Sequence, residues 1–261
     1  MLAIISPAKK LDFEPLLEPL GYSDPTFPLD TLELVEAART LSLNSLKRLM
    51  KLSDNLADLN YQRFKAFANT PEIDDVKQAI MAFAGDTYVG LDAANLDNDD
   101  LVYAQDHLRI ISGLYGLLRP LDMIQPYRLE MGSRLNNSRG SDLYSFWGDR
   151  LSNALDDIVA KHKFQVLINL ASDEYFKATK SKSMKARIIK PVFKEIKNGE
   201  TRVIGMFAKR ARGSMARYVI QNRIEDPNLL KNFDKGGYMF RDELSSADTL
   251  VYTREQPPAI S

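Results

Sequence analysis

Phe164-Gln165-Val166-Leu167-Ile168-Asn169-Leu170 decides the fold class. A short apolar run that stops at Ala171-Ser172-Asp173-Glu174 has the pattern of a buried strand, too brief for a helix. Leu2 to Ile5, ended by Ser6-Pro7, reads the same way and starts the fold. Amphipathic stretches separate the two. Ser42 and Ser53 can cap helices over 43–51 and 54–67, and Asp30 with Glu33 has capping-box spacing for a helix over 31–40. Thr70-Pro71 can open another, and Ser141 one over 142–161 that carries the only Trp, Trp147. Ala79 to Ala84 fits strand or helix, and an amphipathic helix is expected from Asp99 through Ile111. Asn198-Gly199 predicts a hairpin between Ile188–Ile196 and Thr201–Phe207, followed by a helix over 208–223. Thr249–Tyr252 suggests a last strand. Residues 14–30, with four Pro, read as an extended excursion. The expectation is one mixed α/β domain over 1–254 with a loose tail over 255–261.

The formal net charge is zero, but the charge is partitioned. Lys177 to Arg223 holds 14 Lys and Arg against only Glu195 and Glu200, a local balance of +12 that the rest of the chain cancels. Such a segment is a common footprint of phosphate binding. Alternatively, it is a solvated face or docks on the acidic remainder. Asp86 to Asp106 holds six Asp and no Lys or Arg.

Absence of Cys excludes disulfides, thiolate catalysis and Cys-ligated metals. With His107 and His162 the only histidines, no metal site or cofactor is expected, although carboxylates could hold a hard cation. No apolar run approaches a membrane span, and the N-terminal run is too short for a signal-peptide core. A cytoplasmic protein is expected, one that does not engage membranes.

Four constellations could carry function. On the helix from Ala208, Arg210, Gly213, Ser214 and Arg217 fall opposite the core face, with Lys209 and Arg212 beside them. Two arginines around two small residues could admit a phosphate, or Gly213 could simply ease packing. Gly113-Leu114-Tyr115-Gly116, bracketed by Arg109 and Arg119, is similar to the GxxG loop of KH domains and to helix-hairpin-helix turns, although the latter more commonly space their glycines two apart, or it is a simple helix–helix connection. Tyr127, Arg128 and Glu130 lie close together, and Tyr127 could stack on a base or fill the core. Asp173 and Glu174 follow a buried strand, where polar groups often line a site. Ser6-Pro7-Ala8-Lys9-Lys10 offers the same geometry with two amines.

Several of these stretches together resemble the YaaA family of bacterial peroxide-stress proteins. They are Ile4–Lys9, Gly113–Asp122, Gln125–Gly132, Phe146-Trp147-Gly148-Asp149, Asn169–Lys177, Lys190-Pro191-Val192-Phe193 and Lys209–Gly213. Lys10 departs from the expected Thr. The resemblance implies a cytoplasmic oxidative-stress protein that limits free iron and DNA damage. It also implies an α/β domain of unusual topology, with a helix-hairpin-helix-like element and a positive cleft for DNA. No catalytic residues carry over.

Three functions follow as expectations. The first is DNA binding without base readout, by a chain expected to be monomeric. Its contacts would come from Lys9, Arg109, Gly113, Tyr115, Gly116, Arg119, Tyr127, Arg128, Lys190, Lys209, Arg210, Arg212, Gly213 and Arg217. The second is an enzyme acting on a nucleotide, a base or a small phosphorylated substrate, with Glu130, Asp173 and Glu174 as candidate acids or bases. The third is iron sequestration by carboxylates of 86–106.

Overall fold

Eight strands form the central sheet of the computed structural model, which describes residues 1–15 and 21–257. They are β1 (Leu2–Ile5), β2 (Leu108–Ser112), β3 (Gly116–Leu118), β4 (Val166–Asn169), β5 (Arg187–Lys197), β6 (Glu200–Arg202), β7 (Met239–Phe240) and β8 (Thr249–Glu255). Their order is β7-β8-β5-β4-β1-β2-β3, with β6 paired to β5. The inner pairs β1–β2, β1–β4, β4–β5 and β5–β8 are all parallel. Every residue of β1, β2 and β4 is buried, as expected for strands covered on both faces.

The main helices are α1 (Pro28–Arg39), α2 (Leu43–Met50), α3 (Asp54–Ala66), α4 (Asp86–Leu91), α5 (Asn98–His107), α6 (Arg150–Val159), α7 (Asp173–Phe176) and α8 (Gly205–Gln221). The Ser42 hydroxyl caps α2 by accepting from the Ser45 amide at 3.2 Å. At the β5–β6 hairpin Asn198 and Gly199 both take positive φ, 54° and 78°, as the tight turn requires.

Several sequence expectations are corrected. Asp30 lies inside α1, which starts at Pro28, and it pairs with Arg139 instead of capping. After Thr70-Pro71 only a 3-10 turn forms, Ile73–Asp75. Ala79–Ala84 divides into a helical turn and a two-residue strand. Gly148, at φ 52°, breaks the expected 142–161 helix into Leu143–Trp147 and α6. The second hairpin strand ends at Arg202, and Phe207 belongs to α8.

Residues 99–118 depart most from the expected helix. The helix ends at His107, and Leu108–Ser112 turns into a central strand. Gly113–Tyr115 then forms a tight turn into antiparallel β3, so this segment is a β-hairpin and not a helix-hairpin-helix. The Ser112 hydroxyl accepts from the Leu114 and Tyr115 amides at 3.2 and 2.9 Å and fixes the turn. Adjacent β-branched Ile110-Ile111 favours strand, and a short, fully buried run has no in–out period to distinguish the two. The 14–30 excursion falls partly outside the described residues, as do 258–261 of the expected tail. The β5–β8 ladder extends to Glu255, and the Gln256 amide donates to Ile196 at 2.9 Å.

Candidate functional site

Parallel strands β1 and β4 end side by side, and the loops that leave them, Ser6–Lys10 and Leu170–Tyr175, open a cavity of about 470 Å³. Ala84–Tyr88, Glu130, Lys209 and Arg212 complete the lining. The carboxyl ends of parallel strands are where α/β sheets usually leave a crevice. The two loops are locked together. The Ser172 amide donates to Ser6 Oγ at 2.9 Å, and the Ser6 hydroxyl donates to Ser172 Oγ at 3.3 Å. Tyr88 donates its phenol to the Ser6 carbonyl at 3.2 Å.

The wall carries both signs of charge. Glu130 is held between Lys9 Nζ at 2.9 Å and Arg128 at 3.0 Å. Glu174 accepts from the Gly132 amide at 2.9 Å. Asp173 pairs with Lys190 at 2.8 Å, and that contact, with the charge of Arg212, holds its carboxyl below the usual range. It is therefore a carboxylate at neutral pH, unsuited to giving up a proton. Burial pushes the Tyr175 phenol well above its ordinary pKa and keeps it neutral. Neither serine hydroxyl is hydrogen-bonded to an imidazole or a carboxylate.

Lys209 and Arg212 differ from these groups. The side chains of the exposed Lys209 and the half-buried Arg212 make no hydrogen bond or ion pair with any described residue. Burial lowers the pKa of the Arg212 guanidinium, and only the more distant Asp173 offsets this. A partly desolvated cation without an acceptor is costly, so its open side is the natural place for an anion.

The structure brings together Lys9, Arg128, Glu130, Asp173, Glu174, Lys190, Lys209 and Arg212, but it disperses the other candidates. Gly113 and Gly116 are buried. A Cβ on Gly113 would lie 2.3 Å from the Leu129 carbonyl oxygen, and one on Gly116 would lie 2.7 Å from Trp147. Tyr115 and Tyr127 fill the core with ring centroids 5.3 Å apart. Tyr127 bonds Ser112 at 2.6 Å, so neither presents a face for stacking. Arg109 is buried, donates to the Gln105 and Leu108 carbonyls at 2.6 and 2.7 Å, and has its pKa lowered to about 10 by that burial. Arg119 holds Asp122 at 3.0 Å and the Asp24 carbonyl at 2.9 Å.

The α8 face expected to admit a phosphate is occupied by α4. A Cβ on Gly213 would lie 1.8 Å from the Thr87 carbonyl oxygen, and one on Gly90 would lie 2.0 Å from the Arg210 carbonyl oxygen. Arg217 donates to the Leu91 and Asn95 carbonyls at 3.0 and 2.9 Å, and Arg210 lies 3.6 Å from Asp86. The acidic stretch is the partner of α8: Arg210, Arg217 and Arg223 pair with Asp86, Asp92 and Asp100. Docking on the acidic stretch therefore engages three of the 14 bases of the basic segment. Among the described residues no three His, Asp or Glu converge as metal ligands, and no helix is long and apolar enough to cross a membrane.

Ser6 and Ser172 were visible in sequence only as the residues that end strands. Their meeting depends on β1 and β4 being neighbours, which neither segment encodes alone.

Fold and site together define a mixed α/β protein with a polar cavity at the carboxyl ends of parallel strands. Residues 1–244 match the family described as peroxide stress protein YaaA. A UPF0246 protein of Alteromonas mediterranea is 54% identical, with 98% of this chain and 99% of the relative aligned. UPF0246 proteins of Ruegeria pomeroyi and Aliivibrio fischeri are 51% and 49% identical, with at least 97% of this chain and 98% of each relative aligned. The chain belongs to the YaaA peroxide-stress family.

Proposed function

We propose that this protein serves the peroxide-stress response in the cytoplasm, as a monomer, by binding DNA without base readout at the cavity rim. The observation that carries this reading is the pair of cations without internal partners, Lys209 and Arg212, facing a cavity also lined by exposed Lys10 and by Lys9, which pairs with Glu130. Phosphate contacts from such groups give affinity without sequence information. Shielding DNA from peroxide damage would be the consequence, accompanied by lower free intracellular iron.

Fluorescence anisotropy with duplex and single-stranded oligonucleotides tests the reading. Log affinity should fall linearly with log salt, and Lys209→Ala should reduce that slope by about one. Affinity that does not respond to salt, or a K9E/K209E double variant that binds as the parent does, would reject it.

A second reading has its own support. A volume of about 470 Å³ lies within the range of small-ligand pockets, roughly 300–1,000 Å³, which favours a nucleotide-sized substrate. Against catalysis, Glu130 and Asp173 are each ion-paired, and no base contacts the serine pair. A thermal-shift screen with nucleotides and nucleosides separates the readings. Stabilisation by a mononucleotide that is then converted to product would favour the enzyme.

A further inference from the structure

The bonding pattern of the serine pair leaves one donor unused. Ser6 Oγ receives the Ser172 amide and gives its own proton to Ser172 Oγ, so the Ser172 hydroxyl proton is directed elsewhere. Ser172 precedes α7 but makes no capping bond with its side chain. Its hydroxyl, the Arg212 guanidinium and the Lys209 ammonium thus line one cavity with donors the protein does not use. Two positive charges and a hydroxyl suit a group with two negative charges and three terminal oxygens. A phosphate monoester is such a group, carrying about −1.5 to −2 charge at neutral pH. An internal phosphodiester offers one charge and two free oxygens.

We infer that Ser172, oriented by Ser6, acts with Arg212 and Lys209 as a subsite for a nucleotide's terminal phosphate monoester. This rests on the cavity being the phosphate-binding site proposed above. Two sources present that chemistry, a phosphorylated strand end and a free mononucleotide, and both are tested.

The experiment compares binding of oligonucleotides identical except for a 5′-phosphate, a 3′-phosphate or free hydroxyls, with adenosine monophosphate and adenosine as competitors. A terminal phosphate on at least one end should raise affinity about tenfold, the loss expected from removing a charged hydrogen-bonded contact. The preference should grow between about pH 5 and 7, as the monoester takes its second charge with a pKa near 6. It should shrink in Ser172→Ala and Arg212→Gln variants whose melting temperatures match the parent's. Competition by the mononucleotide but not by adenosine assigns the subsite to free nucleotides, and preference confined to oligonucleotides assigns it to strand ends. Equal affinity for phosphorylated and hydroxyl ends in the parent protein overturns the subsite while leaving DNA binding intact. Absence of binding to every probe overturns the cavity reading as well.

Discussion

Two glycines show how different physical demands select the same residue. Gly213 takes an ordinary helical conformation, but its missing Cβ lets the Thr87 carbonyl approach. Gly213→Ala is expected to cost about 3 kcal/mol through overpacking, seen as a large drop in melting temperature. Gly199 has open space around it but a φ of 78°. Gly199→Ala should cost only about 1 kcal/mol, from the left-handed backbone alone. Arg217 is a residue whose role reverses between sequence and structure. Read as a phosphate ligand, it instead holds the Leu91 carbonyl that ends α4 and the Asn95 carbonyl of the turn that follows. Arg217→Ala should therefore lower thermal stability while the salt slope of DNA binding stays unchanged.

At the scale of elements, α4 and α8 form a crossing that neutralises part of the basic segment. Six of the 14 bases in 177–223 are ion-paired, three of them between α8 or its end and the acidic stretch. The more exposed of these pairs, such as Arg187–Asp248, each contribute roughly 0–1 kcal/mol, whereas Arg223 pairs with a buried carboxylate, Asp100. Lys209 and Arg212 are among the bases of this segment without an ion pair, and they line the cavity beside the strand ends. The same crossing explains why the helix phase was legible and its meaning was not. Periodicity identified a second face carrying small residues, but small residues suit close helix contact as well as close ligand approach. The 108–118 segment failed for a related reason. A central strand buried on both faces, here with Arg109 and Ser112 buried as well, lacks the in–out alternation that would mark it.

For the whole molecule, the two histidines make a pH device at the end of α5. His107 stacks on Tyr103 at 3.8 Å and lies 4.6 Å from His162. Burial depresses both pKa values, that of His162 to about 4 from 6.5. The unfolded chain therefore binds protons more readily, and this contribution to stability is full above about pH 6.5. It is lost as pH falls towards about 4. Melting temperatures measured over that window should decline, and His162→Gln should flatten the decline.

Local chemistry determined much of this protein. Leu2–Ile5 and Val166–Asn169 are strands because short apolar runs end in polar residues, and Asn198-Gly199 turns because both residues tolerate positive φ. Ser6, Lys9, Asp173, Glu174, Lys209 and Arg212 stood out as polar groups at strand ends or on one helix. Only the tertiary structure decided which of them meet. The parallel neighbours β1 and β4 bring Ser6 to Ser172, and α4 takes up Arg210, Gly213 and Arg217 while leaving Lys209 and Arg212 open. The reason is physical. Strand and turn propensities act over a few residues, whereas the pairing of a charge depends on which distant segment burial places beside it.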